Sequence, residues 1–148
     1  LTLRRAHPVP IGDALDVVDV LEAGSDFVAV CSPITPETRG MIGAAELAVM
    51  KPSAVLINVG RGPVIVESAL IDVLQNHRIH GAALDVFDTE PLPSGHAFYD
   101  MDNVLLSPHS ADHTPGWTEN AMQLFIDNFH RFVRGEPLIN LVDKQAGY

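Results

Sequence analysis

The sequence has 148 residues, and 9 Lys and Arg stand against 19 Asp and Glu, which gives a formal net charge of −10. This length suits one domain of ordinary size; a hydrophobic fraction of 47% excludes intrinsic disorder, and the negative charge argues against a nucleic-acid partner. No apolar run approaches the roughly 18 residues that a membrane span requires, and a single cysteine, Cys31, fits a reducing compartment such as the cytoplasm.

Short apolar runs alternate with longer amphipathic stretches along the chain. In chain order we predict a helix over 13–23, a strand over 27–31, a helix over 44–50, a strand over 54–59, a helix over 66–76, strands over 81–85 and 103–107, and a long helix over 115–134. The strands are apolar without interruption, which is typical of strands buried on both faces of a parallel sheet. The alternation therefore predicts an α/β fold with a doubly wound parallel sheet and right-handed crossovers.

The last predicted helix has signals at both ends. Thr114 is a suitable N-cap with Pro115 at the first helical position, and Gly135 is suited to end the helix. We expect residues 136–148 to form a docking tail.

Three predicted strands lead into residues that can carry out chemistry. They are followed by Gly60-Arg61-Gly62, by Glu90 and by His109, and ligands of such sheets bind beyond the carboxyl ends of the strands. The planar fork of an arginine can bind a carboxylate with two hydrogen bonds. Histidine transfers protons near neutral pH, and a neighbouring glutamate would orient it. The combination predicts oxidation or reduction of a 2-hydroxy or 2-keto acid.

Each of these groups also has a plainer interpretation. Taken alone, Gly60-Arg61-Gly62 is more often a turn with a surface arginine, Glu90 a solvated charge and His109 a structural or exposed histidine. His109 and His113 have the i, i+4 spacing of metal ligands, but prolines on both sides predict a loop, so we predict no metal site. Cys31 ends an apolar run, so we expect a small core side chain rather than a nucleophile.

Four motifs occur in a fixed order between residues 27 and 111. They are Ser32–Gly40 (SPITPETRG), Asn58–Val64 (NVGRGPV), Asp85–Pro93 (DVFDTEPLP) and Ser107–Ala111 (SPHSA). Together they resemble the D-isomer-specific 2-hydroxyacid dehydrogenases, of the glyoxylate/hydroxypyruvate reductase type. The resemblance implies a partial Rossmann-type dinucleotide-binding domain over 1–134, ending in a long helix, and a tail over 135–148 that returns to a substrate domain.

The resemblance also implies roles for single residues. Arg61 would bind the substrate carboxylate and carbonyl, His109 would exchange a proton with the substrate oxygen, and Glu90 would pair with His109. Asp85 would face the nicotinamide end of the cofactor, and Ser32 would border the adenosine side. The residues implied to contact the cofactor are Arg4, Arg5, Ser32, Pro33, Thr38, Val59, Gly60, Arg61, Asp85, His109 and Ala111. Direct hydride transfer is the implied reaction, in a homodimer that acts on a small 2-keto or 2-hydroxy acid.

The sequence departs from the family pattern in several places. It contains no G-x-G-x-x-G loop, which precedes the second strand of such domains. Residues 1–5 resemble the end of that strand, so we expect the loop to lie before residue 1 in a longer protein. Arg4 and Arg5 stand where NAD sites carry an acid, which favours NADP, with NAD as the other possibility. Val66 and Asp112 replace an acid and a glycine that are common in the family.

Two other functions stay open at this point. The chain could be a nucleotide-sensing binding protein, as the corepressors of the same family are, or a catalytically inactive fragment. We expect the 148 residues alone to bind dinucleotides weakly and to lack useful catalysis, because the pyrophosphate normally rests on the helix N-terminus behind the glycine loop.

Overall fold

The computed structural model describes residues 24–144. The helix predicted over 13–23, and the arginines Arg4 and Arg5, lie outside these residues. The strands are β1 (Phe27–Val30), β2 (Val55–Asn58), β3 (Gly81–Leu84) and β4 (Val104–Leu106), and the α-helices are α1 (Ala44–Ala48), α2 (Glu67–Gln75) and α3 (Trp117–Val133). Short 3₁₀ helices cover Gly62–Val64 and Ala97–Asp100. The four predicted strands and the three helices predicted beyond residue 24 are confirmed, although several ends differ.

The described residues form two compact units that divide after Pro108. The first unit holds the four strands with α1 and α2, and the second holds α3. The domain boundary expected after residue 134 does not coincide with this division, because α3 groups with the residues that follow it. This division does not test where the domain ends in the intact protein, so the boundary at residue 134 stays a prediction.

The first unit is built on one parallel sheet. Its strands are hydrogen-bonded in the order β1-β2-β3-β4, and all three neighbouring pairs are parallel. Helix α1 connects β1 to β2 and helix α2 connects β2 to β3, as parallel strands require. The predicted parallel α/β sheet is therefore confirmed.

One face of this sheet packs on the helices and forms the core. Leu70, Val73 and Leu74 lie on one side of α2 at the i, i+3, i+4 spacing and are all buried. They belong to one cluster with Leu56 on β2 and Leu84 on β3. A helix side chain of this size contributes about 1.5–3 kcal/mol when it is fully buried, so this layer holds the strands in place.

The other face of the sheet is more open in the described residues than the apolar runs predicted. Phe27 on β1 is 69% exposed and Leu105 on β4 is 71% exposed. Both side chains point away from the Leu56 face, because neighbouring residues of a strand alternate between faces. The expectation that every strand is covered on both faces is therefore wrong for β1 and β4 within residues 24–144.

Cys31 is also placed differently from the prediction. Its thiol is free and exposed, whereas the preceding residue, Val30, is buried. Alternation along the strand explains the difference, because the residue after a core-facing side chain points to the opposite side. The core role expected for Cys31 is wrong.

Helix α3 in the second unit begins later than predicted. Its N-cap is Gly116, with φ of 81°, rather than Thr114. Thr114 lies in the preceding turn, where its carbonyl accepts a hydrogen bond of 3.1 Å from the N–H of Trp117. Glycine adopts this left-handed conformation without a steric penalty. At the other end Gly135 has φ of 68°, which confirms the predicted stop.

The residues after α3 fold back along the helix. The side-chain amide of Asn128 donates to the carbonyl of Ile139 at 3.0 Å and accepts from its N–H at 2.7 Å. Arg131 Nη1 donates to the carbonyl of Pro137 at 3.0 Å. The first residues of the expected tail therefore pack against helix α3, the helix that precedes them. Among residues 24–144, α3 and the other helices lack the combination of length and apolarity that crossing a bilayer demands.

Candidate active site at the carboxyl ends of the strands

The four strands end at the same level. Val30 pairs with Asn58, Asn58 with Leu84, and Leu84 with Leu106, and each of these is the last residue of its strand. The segments that follow therefore leave the sheet side by side along one edge. This edge brings together the predicted site residues that follow β1, β2 and β3.

Asn58 shapes the segment that carries the predicted arginine. Its side chain is buried, its Oδ1 accepts from the N–H of Gly60 at 3.1 Å, and its Nδ2 donates to the carbonyl of Arg61 at 3.1 Å. These two bonds replace ladder bonds that the chain loses as it leaves β2. Sequence reasoning gave Asn58 no role, although an amide at the end of an otherwise apolar run was a usable signal.

The two glycines that flank Arg61 pack against neighbouring backbone. A Cβ on Gly60 would lie 2.7 Å from the carbonyl oxygen of Ser32, and a Cβ on Gly62 would collide with the carbonyl group of Phe87 and lie 2.6 Å from the N–H nitrogen of Asp88. These contacts hold the segment after β2 between the segments that follow β1 and β3. The cofactor contact of Gly60 stays a prediction.

Arg61 projects from this locked segment. It is exposed, its backbone is extended with φ of −142° and ψ of 140°, and its Nη1 donates to the carbonyl of Gly60 at 2.7 Å. A guanidinium carries five N–H donors, so the side chain can bind an anion while this bond persists. The exposed side chain is compatible with both interpretations of its motif, and binding of a substrate carboxylate by Arg61 stays a prediction.

Asp85 lies at the centre of the same edge. Its side chain is buried, with 3% of the residue exposed, and its Oδ1 accepts from the hydroxyl of Ser107 at 2.5 Å. Its N–H donates to the carbonyl of Asn58 at 3.0 Å. A carboxylate held by hydrogen bonds at the end of β3 can accept a hydrogen bond from an amide or hydroxyl of a ligand.

Glu90 belongs to the segment that follows Asp85. Its residue is exposed, and its Oε1 accepts from the N–H of Phe87 at 3.0 Å. His109 and Ala111 are exposed too, but they lie in the second compact unit, where His109 has φ of 52°. Non-glycine residues in this left-handed region are uncommon and concentrate at functional sites. The pairing of Glu90 with His109 stays a prediction.

The segment after β1 is closed by two threonines. Thr38 is completely buried. Its hydroxyl donates to the carbonyl of Pro33 at 2.8 Å and accepts from the N–H of Thr35 at 2.8 Å. This network fixes the shape of the loop that was predicted to border the adenosine. Thr38 can thus shape a cofactor site from inside the loop, and direct contact with the cofactor stays a prediction.

The surroundings of the Ser32 hydroxyl bear on whether this edge of the sheet fits a cofactor. Its hydroxyl oxygen is buried and has no hydrogen-bond partner among the described residues, and a buried hydroxyl without a partner is costly. It lies at the strand-end edge, where Gly60 touches its backbone and Val59 is 40% exposed. A dinucleotide carries sugar hydroxyls and phosphate oxygens that could satisfy such a group, so the residues at this edge fit a dinucleotide.

We predicted no metal site in the loop before α3, although His109 and His113 have the spacing of metal ligands. Within residues 24–144, no cluster of three or more His, Cys, Asp and Glu side chains is arranged to hold a metal ion. His113 instead lies 3.7 Å from Asp112 through Nε2 and Oδ1, and its ring stacks on Trp117 with centroids 5.3 Å apart.

Comparison with known proteins agrees with the motifs. Residues 6–111 match the family model described as D-isomer specific 2-hydroxyacid dehydrogenase, NAD binding domain. The chain is 43% identical over 129 residues to glyoxylate/hydroxypyruvate reductase B of Salmonella newport (strain SL254), a match that covers 87% of the chain and 40% of the relative.

The chain is also similar to solved structures in both fold and sequence. The D-isomer specific 2-hydroxyacid dehydrogenase from Xanthobacter autotrophicus Py2, in complex with NADPH and MES, has a TM-score of 0.81 and 44% identity, over 90% of this chain and 55% of that one. The NADPH-dependent glyoxylate/hydroxypyruvate reductase from Sinorhizobium meliloti, in complex with NADP and sulfate, has a TM-score of 0.82 and 34% identity, over 98% of this chain and 48% of that one. The chain thus spans about half the length of these proteins.

Proposed function

Because the chain belongs to the D-isomer specific 2-hydroxyacid dehydrogenase family, we propose that it forms the cofactor-binding part of a reductase that interconverts small 2-keto and 2-hydroxy acids, of the glyoxylate/hydroxypyruvate type. The observation that carries the proposal is the edge at which β2 and β3 end together, with the exposed Arg61 in the segment after β2 and the buried Asp85 directly after β3. An exposed guanidinium on a rigid turn is suited to a carboxylate, which is the group that all these substrates share.

In this proposal each residue has one task. Arg61 binds and orients the substrate carboxylate, and Asp85 receives a polar group at the nicotinamide end of the cofactor. His109 gives a proton to the keto oxygen during reduction and takes it from the hydroxyl during oxidation, while Glu90 orients the imidazole. A bound nicotinamide dinucleotide would supply or accept the hydride.

The proposed cofactor is NADP(H). Both solved structures described above carry NADPH or NADP, and Arg4 with Arg5 offers two cations where an NAD site has an acid. The test compares NADPH with NADH in the protein expressed from its complete reading frame, and then repeats the comparison with Arg4 and Arg5 both changed to Ala. A parent that prefers NADH, or a double variant that keeps its preference for NADPH, would contradict this assignment.

The reaction is tested with a panel of 2-keto acids on the same protein. We expect turnover of glyoxylate and hydroxypyruvate with oxidation of the reduced cofactor, and none with ketones that lack a carboxylate. The 148 residues alone serve as a second sample, for which we expect weak dinucleotide binding and no turnover. If no 2-keto acid is reduced by the complete protein with either cofactor, the proposed function is wrong.

The cellular setting is part of the proposal. Exposed apolar side chains on α3, such as Phe125 and Phe129, support a homodimer. The free, exposed thiol of Cys31 supports a reducing compartment such as the cytoplasm. Light scattering on the purified protein measures the oligomeric state. Nothing in the described residues or in the relatives above favours the alternative of a corepressor-like sensor.

A further inference from the structure

His96 lies outside the proposed site and connects two elements of the first unit. Its Nε2 is 3.1 Å from Oε1 of Glu67, which stands in the first turn of α2. Both side chains are shielded, with 16% of His96 and 24% of Glu67 exposed. A pair with so little exposed surface is ordered more strongly than a surface ion pair, because water competes less for the two groups.

The second ring nitrogen of His96 fixes the tautomer. The N–H of Phe98 donates to Nδ1 at 3.3 Å, which makes His96 the N-cap of the short helix Ala97–Asp100. Since Nδ1 accepts, the proton of the neutral ring lies on Nε2, and Nε2 donates to Glu67. One side chain therefore caps a helix with one nitrogen and holds α2 with the other.

A line of buried contacts leads from His96 toward the proposed site. The His96 ring lies 4.8 Å from the ring of Phe98, and the Phe98 ring lies 6.5 Å from that of Phe87. Phe98 is 2% exposed and Phe87 is 8% exposed. The N–H of Phe87 donates to Glu90, and its carbonyl packs on Gly62, next to Arg61. The backbone of Phe87 thus contacts the segments that carry Glu90 and Arg61.

Charge reinforces this arrangement. Burial and the nearby negative charge of Glu67 raise the pKa of Asp88, and Arg39 opposes that rise. The carboxylate of Glu67 therefore acts on the residue that directly follows Phe87. The contact with His96 at 3.1 Å holds the side chain of Glu67 in this position.

We propose that His96 is a positioning residue, which holds the segment from Phe87 to Glu90 through its bond to Glu67 and its contact with Phe98, and thereby aligns Glu90 and Arg61. The proposal rests on the proposed function for its catalytic consequence. Its structural part, the ordering of the Phe87–Glu90 turn by His96, is independent of the reaction. Packed side chains of this kind transmit displacement because interiors have few voids to absorb it.

Three substitutions separate the two bonds of His96. His96→Asn keeps an acceptor for the Phe98 N–H but is too short to reach Glu67. His96→Gln extends an amide that can donate to Glu67, and His96→Ala removes both bonds. The exposed His80 provides the matched control, His80→Asn, in the same unit. All variants are made in the protein expressed from its complete reading frame and compared below their unfolding temperatures.

The first measurement does not depend on catalysis. We expect amide hydrogen exchange at the Phe87 N–H to become at least 10-fold faster in His96→Asn and His96→Ala, and to stay near the parent rate in His96→Gln and His80→Asn. Exchange at this amide reports the turn closed by Glu90, because opening of that bond must precede exchange. An unchanged exchange rate at Phe87 in His96→Asn would overturn the proposal, whatever the protein catalyses.

The second measurement links the turn to the reaction. In His96→Asn we expect kcat for the 2-keto acid to fall about 10- to 100-fold, the size of effect that a small displacement of catalytic groups produces. Cofactor affinity should stay within a factor of two, and the pH–rate profile should move in the same direction as in Glu90→Gln. A parent without activity toward any 2-keto acid rejects the proposed function and leaves the exchange result standing. Faster exchange with unchanged kcat would reject the positioning role.

Discussion

The buried carboxylate of Asp85 accepts a hydrogen bond of 2.5 Å from the hydroxyl of Ser107, and this bond joins the ends of β3 and β4. The backbone supports the same junction, because the N–H of Ser107 donates to the carbonyl of Leu84 at 3.0 Å. A carboxylate with 3% of its residue exposed depends on such donors. Ser107 therefore has a structural task at the proposed site in addition to any contact with ligand.

This relationship predicts the effect of Ser107→Ala. Loss of a hydrogen bond to a charged, buried group should lower the free energy of unfolding by about 1.5–3 kcal/mol. Ser107→Thr keeps the hydroxyl and is the control. Urea denaturation followed by circular dichroism measures the difference. If Ser107→Ala is as stable as the parent, the bond contributes nothing and Asp85 is satisfied by its other contacts.

Arg61→Lys tests the proposed carboxylate anchor. An ammonium cannot reproduce two parallel hydrogen bonds to a carboxylate, so we expect kcat/KM for glyoxylate to fall roughly 30- to 1000-fold, which corresponds to about 2–4 kcal/mol. Steady-state kinetics on the complete protein provide the measurement. The control is Arg78→Lys, which changes an exposed arginine paired with Asp72 at the end of α2. A loss of less than threefold in Arg61→Lys would remove Arg61 from the substrate site.

Proton transfer is tested at two positions. His109→Ala should lower kcat by about 100- to 10,000-fold and leave cofactor affinity nearly unchanged, because general acid–base catalysis is lost while the binding surface remains. In the proposed pairing with His109, Glu90→Gln removes the negative charge beside the imidazole, so the acid-side limb of the pH profile for oxidation should move to lower pH. A Glu90→Gln profile that coincides with the parent profile would mark Glu90 as a surface charge.

Val66→Asp should stabilise α2. Val66 is the N-cap of this helix, and its side chain makes no capping hydrogen bond. Asp at an N-cap accepts a backbone N–H and complements the helix dipole, which is worth about 0.5–2 kcal/mol. Val66→Ala removes the valine without adding a cap and serves as the control. Thermal unfolding should show a higher Tm for Val66→Asp alone, and equal Tm values for the two variants would contradict the capping argument.

Asp88→Asn should alter the pH dependence of stability. Partial burial of its carboxyl group and the charge of Glu67 raise the pKa of Asp88 in the folded protein, so ionisation of Asp88 favours the unfolded chain. The folded state therefore loses stability as pH rises through this pKa, and the loss is complete at neutral pH. Because Asp88 is exposed, the gain from Asn at pH 7 should be small, about 0.5 kcal/mol or less. It should vanish as the pH falls below 3.8, the ordinary pKa of an aspartate carboxyl.

Local sequence patterns were sufficient to predict where the strands and most of the helices lie. The apolar runs around Leu56 and Leu84 identified β2 and β3 because burial determines both composition and structure there. The start of α3 at Trp117 was missed, since Thr114 and Pro115 form a plausible cap and only the φ of Gly116 decides the boundary. Local propensity cannot distinguish two capping sequences that lie side by side.

The sequence predicted which side chains follow the strands but not how the segments that carry them pack together. Arg61 and Asp85 could be placed at strand ends from their positions after apolar runs. The contact between Gly62 and Phe87, and the caps that Asn58 and Glu90 provide, depend on segments that meet only after the sheet has formed. Such tertiary contacts leave no periodic signal in the sequence.

The contact at Gly62 also determines which second mutations could restore the fold of a Gly62 variant. A side chain at this position meets the carbonyl of Phe87, and no substitution at Phe87 removes a backbone carbonyl. Suppressors of a Gly62 variant would therefore have to be insertions or deletions that reroute the segment after β3. At Gly43 the nearest obstacle is the carboxylate of Glu46, 3.3 Å from the position of a Cβ, and a single substitution at Glu46 would relieve it. The two glycines should thus yield different classes of revertant in a genetic selection.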